Sequence, residues 1–144
     1  MTDIKEPGAV VSSAAIEAVI GRHIAAEALA RYCSAMDRRD ARAAASLLAN
    51  ADLYFKDLPR NRGRKDIEEF YADLFSASTG DTAHLINNLV VTVDAARIGY
   101  TCRYQRVNLV DTAGPTISAI GCYTGYFVRV GPESIWREHH VIAR

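Results

Sequence analysis

An apolar pattern with helical spacing occupies the first part of the chain. Its members recur in steps of three and four residues, which places them on one side of a helix. They are Ile16, Ile20, Ile24, Ala28, Leu29, Tyr32, Cys33 and Met36. Ser12 or Ser13 can cap this helix at its start, and we predict that it runs to about residue 37.

Two further helices are predicted after this one. Asp40 can cap a short helix over 41–48, and "KDIEEFYADLF" predicts a third helix that ends at Gly80. The apolar face of the third helix consists of Ile67, Phe70, Tyr71 and Leu74. Between these helices, "ADLYF" predicts a short strand, and "KDLPRNRGR" predicts a loop because it contains Pro59 and Gly63.

The second half of the chain has the composition of long β-strands. The four β-rich runs are "AHLINNLVVTV", "RIGYTCRYQRVNLV", "TISAIGCYTGYFVRV" and "SIWREHHVIA". Their short connections predict an antiparallel meander. Helices followed by such a sheet indicate the α+β class. We predict a flexible arm over 1–11, where Pro7 and Gly8 disfavour regular structure, and a single domain over 12–144.

Composition narrows the classes of partner. Lys plus Arg and Asp plus Glu each number 17, so the formal net charge is zero, which argues against a nucleic-acid or anionic-membrane partner. No apolar run approaches the roughly 20 residues of a membrane-spanning helix, and the start does not resemble a secretory signal. Cys33, Cys102 and Cys122 are scattered, which favours reduced thiols and a cytoplasmic location.

Asp37 is the residue that the helical pattern leaves unexplained. The last turn of a helix exposes carbonyl groups, so a carboxylate there costs about a few tenths of a kcal/mol or more. Asp37 continues the row of Leu29 and Cys33 toward the buried side, while Arg38 and Arg39 rotate away. We therefore expect a positive or hydrogen-donating group to meet Asp37 inside the fold.

His84 opens the first long strand and is a candidate partner for that carboxylate. Side chains alternate between the two faces of the strand. Because each face carries an asparagine, the pattern does not show which face points inward. One face holds His84, Ile86, Asn88 and Val90, and the other holds Leu85, Asn87, Leu89 and Val91. Either a structural histidine or a general base fits this position, and a base needs a carboxylate to orient its ring.

Four segments together resemble the SnoaL-like branch of the nuclear-transport-factor-2-like superfamily. They are "RYCSAMDRRDARAAASLLANADLYF", "GRKDIEEFY", "HLINNLVVTV" and "YFVRVGPESIWR", and their order and spacing carry the resemblance. It extends from about Ile16 to Ile142. It implies a cone in which a strongly curved antiparallel sheet wraps around three N-terminal helices and encloses an apolar pocket.

One subset of this superfamily performs eliminations with an Asp–His dyad. It includes scytalone dehydratase, a bile-acid dehydratase and hexachlorocyclohexane dehydrochlorinase. By resemblance, Asp37 and His84 match the dyad, and Asn88 matches an asparagine four residues after the histidine. The implied chemistry is proton abstraction from carbon by His84, oriented by Asp37, without cofactor or metal.

The same resemblance supplies further expected site residues. Tyr32 matches a pocket tyrosine of the dehydratases, Tyr54 can match a second one in scytalone dehydratase, and Arg129 matches a pocket arginine of the dehydrochlorinase. We also expect Phe70 and Tyr123 to contact the substrate. A second pocket histidine has no clear counterpart in this sequence. The adjacent His139 and His140 face opposite sides of their strand, so they cannot share a metal.

Two alternative functions stay open at this point. "FKDLP" resembles the segment that carries the catalytic Asp of ketosteroid isomerases, which would make Asp57 a proton shuttle with Tyr32. The superfamily cone also serves as a binding or docking module, as in the small subunits of ring-hydroxylating dioxygenases. We expect a small hydrophobic, cyclic ligand and a homodimer, with a homotrimer as the alternative.

Overall fold

The computed structural model describes residues 8, 10–110 and 112–144, which contain three helices and six strands. The helices are α1 (Ser13–Asp37), α2 (Ala41–Leu47) and α3 (Arg64–Ser76). The strands are β1 (Asp52–Phe55), β2 (Asn61–Arg62), β3 (Thr82–Asp94), β4 (Arg97–Asn108), β5 (Thr116–Val130) and β6 (Glu133–Ala143). The predicted α+β class is confirmed, whereas most of the arm expected over 1–11 lies outside the described residues.

Local chemistry sets the helix ends. Ser12 and Asp40 cap α1 and α2, because each side-chain oxygen accepts a hydrogen bond from the backbone N–H three residues on. The prediction that Gly80 ends α3 is wrong, since the helix stops at Ser76. The Asp73 carbonyl in the last turn accepts both the Ser76 hydroxyl at 2.8 Å and the backbone N–H of Ala77 at 3.2 Å.

The strands form one sheet in the order β2-β1-β6-β5-β4-β3. The predicted meander is confirmed for β3 to β6, whose neighbours all pair antiparallel. Two features were not predicted: β1 pairs parallel with β6, and the loop expected after β1 contains β2. The sheet is therefore mixed rather than purely antiparallel.

Bulges bend the sheet around the helices. Each of the three hairpins among β3 to β6 contains a register shift, which adds twist and curvature. In β3 the shift lies between Asn87 and Val90, where Asn88 has φ 53°. Beyond this bulge Leu89 turns toward the core and Val90 is exposed, so the predicted alternation of β3 fails after Ile86.

The core lies between α1 and the concave face of the sheet. Leu29 and Ala25 on α1 are fully buried, and α1 approaches β3 closely where Gly21 faces Val93. A Cβ at Gly21 would lie 2.5 Å from the Val93 side chain, so only glycine allows this approach. The three cysteines are free thiols. Among the described residues, no helix combines the length and hydropathy of a membrane span.

Candidate active site

Asp37 and His84 meet where the end of α1 crosses the start of β3. The Oδ1 atom of Asp37 lies 2.6 Å from Nδ1 of His84. The Oδ2 atom accepts the backbone N–H of His84 at 3.0 Å, and the Thr82 hydroxyl donates weakly to Oδ1 at 3.4 Å. Three donors from one strand thus face the carboxylate, and they offset the cost of an acid at a helix end.

The pair is partly shielded from water. The side chain of His84 is 13% exposed and that of Asp37 is 28% exposed. Charge-assisted hydrogen bonds are stronger in such surroundings than in bulk water. With Nδ1 engaged by Asp37, Nε2 is the ring nitrogen left for a bound molecule.

His84 lies in the wall of a cavity of about 220 Å³. The inner wall is mostly apolar and aromatic, with side chains from α1, α3 and the sheet, including Tyr32, Met36, Leu74, Tyr104 and Tyr123. The volume is below the roughly 300–1,000 Å³ of sites for drug-sized ligands. The cavity therefore suits a small molecule with one or two rings.

Tyr32 is one of the residues that line this wall. Its oxygen lies 2.7 Å from the Tyr71 hydroxyl, and its ring contacts the Tyr123 ring edge-on at 5.5 Å. Burial, followed by the neighbouring Tyr71, raises the pKa of Tyr32 well above its ordinary value. Tyr32 is thus a neutral hydroxyl that can donate a hydrogen bond to a ligand oxygen.

The structure does not bring Arg129 to the cavity, which corrects the sequence-based expectation. The guanidinium of Arg129 bonds to the Glu17 carboxylate at 2.6 Å. Glu17 lies twenty residues before Asp37 on α1, which corresponds to about 30 Å along the helix axis. Arg129 lies near the end of β5, far from the cavity, and there it forms an ion pair with α1.

Two other expected pocket residues lie on the convex side of the sheet. Asn88 is exposed because the bulge of β3 turns it away from the concave face. Tyr54 stacks on His140 with ring centroids 4.3 Å apart, while its neighbour Phe55 lines the cavity. Strand alternation explains Tyr54, since only every second residue of β1 points inward.

Phe70 and Asp57 also lie outside the cavity wall. Phe70 contacts the lining residue Phe55 at a centroid distance of 5.2 Å, so it supports the wall from behind. Asp57 is exposed and does not line the cavity. This placement removes the basis for the ketosteroid-isomerase-like alternative, in which the Asp57 carboxylate would lie inside the pocket and shuttle the proton.

Sequence reasoning missed three polar contributors to the site. The Thr82 hydroxyl contacts Asp37, and the Tyr71 hydroxyl contacts that of Tyr32. Arg106 on β4 lies opposite His84 in the sheet and lines the cavity. The sequence contained one indication for Tyr71, a hydroxyl-bearing ring on an otherwise apolar face of α3. It contained no indication for Arg106, because the pairing of Arg106 with His84 depends on the β3 bulge.

His139 is a second inward-facing histidine, but it lies in the sealed core. It is 0% exposed, and its Nδ1 lies 2.7 Å from the Tyr100 hydroxyl. Its Nε2 has no hydrogen-bond partner among the described residues. Burial, and then the neighbouring His140, lowers the pKa of His139 to about 3. Among the described residues, no group of three or more metal-ligating side chains is arranged to hold a metal ion.

Comparisons with known proteins agree with this architecture. The family model of the SnoaL-like domain matches residues 21–141. No curated protein matches the chain in sequence. The three solved structures described next are each below 25% identical to this chain, so these likenesses concern the fold alone.

Three solved structures illustrate the likeness. A Mycobacterium tuberculosis protein of unknown function is 19% identical with a TM-score of 0.75, covering 90% of this chain and 75% of its own. A candidate dehydratase of the NTF2-like family from Streptomyces avermitilis is 17% identical with a TM-score of 0.70, and the match covers 88% of this chain and 98% of the Streptomyces chain. A candidate scytalone dehydratase from Novosphingobium aromaticivorans is 12% identical with a TM-score of 0.69, and the match covers 88% of this chain and 85% of the Novosphingobium chain.

Proposed function

The chain belongs to the SnoaL-like domain family, and we propose that it is a cofactor-independent enzyme, a dehydratase-like lyase or an isomerase. Its substrate is a small hydrophobic, cyclic molecule, and its first chemical step removes a proton from carbon. The single observation that carries the proposal is the 2.6 Å contact between Asp37 and His84 in the wall of a cavity. Similar folds described as candidate dehydratases add support.

His84 is the general base in this proposal. Its Nδ1–H donates to Asp37, which fixes the tautomer and leaves a lone pair on Nε2. That lone pair takes a proton from a carbon next to a carbonyl group, and the carboxylate stabilises the resulting imidazolium. Tyr32 donates a hydrogen bond to the carbonyl oxygen as it gains negative charge.

Two outcomes of the proton transfer are compatible with this arrangement. In an elimination, the carbanion electrons form a double bond and expel hydroxide from the next carbon. His84 then returns the proton to the leaving oxygen, which departs as water. In an isomerisation, His84 returns the proton to a different carbon. Both reactions balance without an oxidant or reductant.

The test uses small cyclic β-hydroxy ketones, whose dehydration gives an enone with strong ultraviolet absorbance. Isomerisation is followed by deuterium exchange into cyclic ketones in D₂O. We expect turnover by the wild type and by His23→Ala, an exposed histidine on α1, and none by His84→Ala. Turnover by His84→Ala at the wild-type rate would exclude the dyad. Binding of these ketones without turnover by any variant would favour a ligand-binding or subunit-docking module.

We further propose a homodimer, with a homotrimer as the alternative. The convex face of the sheet exposes large apolar side chains, with Leu85 on β3 51% exposed and Ile120 on β5 45% exposed, on the two strands that flank β4. Contact between two copies would remove this surface from water. Light scattering of the wild type and of Ile120→Lys tests this, since the variant should be a monomer. The three free thiols support a cytoplasmic location.

A further inference from the structure

The cavity has basic lining residues that are exposed or partly exposed, and we call this part of the lining its mouth. The proposed proton transfer does not use their positive charge. Arg39, Lys56 and Arg106 line the cavity, and among the described residues no Asp or Glu lines it. None of the three cations forms an ion pair with a described carboxylate. The whole chain has a formal net charge of zero, so this excess of positive charge is local.

Arg106 is the cation nearest to the dyad in the sheet register. It pairs directly with His84 across β3 and β4, so their Cβ atoms lie about 4.5–5.5 Å apart on the concave face. Its Nε donates to the Ser118 hydroxyl at 2.9 Å, and Ser118 donates to the Arg106 carbonyl at 3.1 Å. These bonds hold one edge of the guanidinium. Its two terminal nitrogens have no partner among the described residues.

Arg39 and Lys56 extend the positive rim. The Arg39 guanidinium donates to the carbonyls of Ser78 and Gly80 at 2.7 and 2.6 Å, which fixes its charge beside the mouth. The Lys56 amine lies 5.5 Å from the centroid of the Phe55 ring, another part of the lining. A cleft with charges of one sign and apolar walls concentrates ligands of the opposite sign.

We propose that the substrate carries a carboxylate group, which Arg106 binds at the mouth with help from Lys56 while the ring of the substrate enters the cavity. The two terminal nitrogens of Arg106 match the two oxygens of a carboxylate. The register between Arg106 and His84 then presents a ring carbon to the base. The inference takes the reaction from the proposed function, but carboxylate binding can be measured without turnover.

The experiment compares 2-naphthoate with 2-naphthamide, which have the same ring and nearly the same shape but differ in charge. Isothermal titration calorimetry at low salt should give at least tenfold tighter binding of the naphthoate to the wild type. In Arg106→Gln this preference should fall below about threefold. In Lys56→Gln it should fall less, because Lys56 is exposed. Added salt should weaken the binding of 2-naphthoate more than the binding of 2-naphthamide.

Arg103→Gln is the matched control. It removes the same charge from the same strand, but Arg103 is exposed and alternates to the convex face. Its preference for naphthoate should equal that of the wild type. Arg106→Lys keeps the charge without the guanidinium geometry and should retain part of the preference. Circular dichroism verifies that each variant is folded.

Equal affinity of the wild type for the two probes would overturn the carboxylate proposal, as would an equal loss of preference in Arg103→Gln and Arg106→Gln. His84→Ala separates this result from the reaction. The variant should lose turnover but bind 2-naphthoate within about threefold of the wild type. If His84→Ala keeps full turnover while Arg106 still controls the preference, the dyad mechanism fails and the carboxylate site stands.

Discussion

Two histidines face the interior of this fold in very different surroundings. His84 meets a carboxylate at 2.6 Å and lines a cavity. His139 is fully buried among aromatic rings, with the Tyr100 hydroxyl as its hydrogen-bond partner. A histidine can serve as a general base when a carboxylate stabilises its charged form and a ligand can reach it. His84 meets both conditions, whereas His139 meets neither.

The largest expected effect separates the two histidines by turnover. Loss of a general base or its orienting carboxylate should lower kcat by roughly 10²–10⁴-fold, so we expect this for His84→Gln and Asp37→Asn. His139→Gln should stay within about tenfold of the wild type, since His139 does not line the cavity. Steady-state kinetics on folded protein measures these ratios. Equal losses at the two histidines would remove the distinction.

The next effect concerns acid stability and belongs to His139. Its pKa falls to about 3 in the folded protein, while its ordinary value is 6.5. Below pH 6.5 the unfolded chain therefore binds a proton on His139, whereas the native state keeps this imidazole neutral. The contribution of the neutral His139 to the free energy of unfolding is fully present above that pH and is lost as the pH falls toward 3. His139→Gln should reduce the loss between pH 7 and pH 5 by about 2 kcal/mol.

Urea denaturation at several pH values measures this difference. His140→Gln is the control, because His140 is half-buried and stacks on Tyr54 at the convex face. Its stability should depend on pH much as that of the wild type does. The same pH dependence in His139→Gln and the wild type would show that His139 is accessible to protons in the native state.

A third change tests the hydrogen bonds around His139. The Tyr100 hydroxyl accepts the indole N–H of Trp136 at 2.9 Å and is shared with Nδ1 of His139. Tyr100→Phe leaves Nδ1 of the buried His139 without its partner, whereas the Trp136 indole N–H keeps the Glu138 carbonyl at 3.0 Å. The free energy of unfolding should therefore fall by about 1–3 kcal/mol. Turnover by the folded variant should be nearly unchanged. Thermal denaturation and kinetics together check this, and a loss of turnover beyond tenfold would tie Tyr100 to the active site.

The smallest effect is expected at Thr82 beside the dyad. Its hydroxyl donates to Asp37 at 3.4 Å, a long and weak bond next to two shorter ones. Thr82→Val should lower kcat by less than tenfold and stability by about 0.5 kcal/mol or less. A loss as large as that of Asp37→Asn would mean that Thr82, rather than the strand backbone, positions the carboxylate.

The sequence was sufficient to predict the three helices, five of the six strands and the two residues Asp37 and His84. Asp37 was identified by a physical conflict, an acid on the buried side of a helix end, and His84 by its place at a strand start. The helical row and the strand alternation are local signals, so they could be read without the fold. The residues alone made His84 a candidate partner of Asp37, and the family resemblance then matched the two to a known dyad.

The rest of the site depended on features that are not local. Regular pairing counted back from the turn after Asp94 would place His84 opposite Val107 on β4. The bulge at Asn88 shifts the register by one residue, so His84 lies opposite Arg106 instead. The same bulge removes Asn88 from the pocket. Arg129 faces Glu17 because β5 runs far beyond the cavity, and strand length alone does not reveal which end lies near the base.

The most direct test of the account is the tautomer of His84, measured by ¹⁵N NMR of the imidazole nitrogens under conditions where the ring is neutral. If Asp37 orients His84 as a base, the proton resides on Nδ1 and Nε2 carries the lone pair. This preference should be lost in Asp37→Asn and unchanged in His139→Gln. A proton on Nε2 in the wild type, or the same tautomer after Asp37→Asn, would contradict the proposed role of the pair.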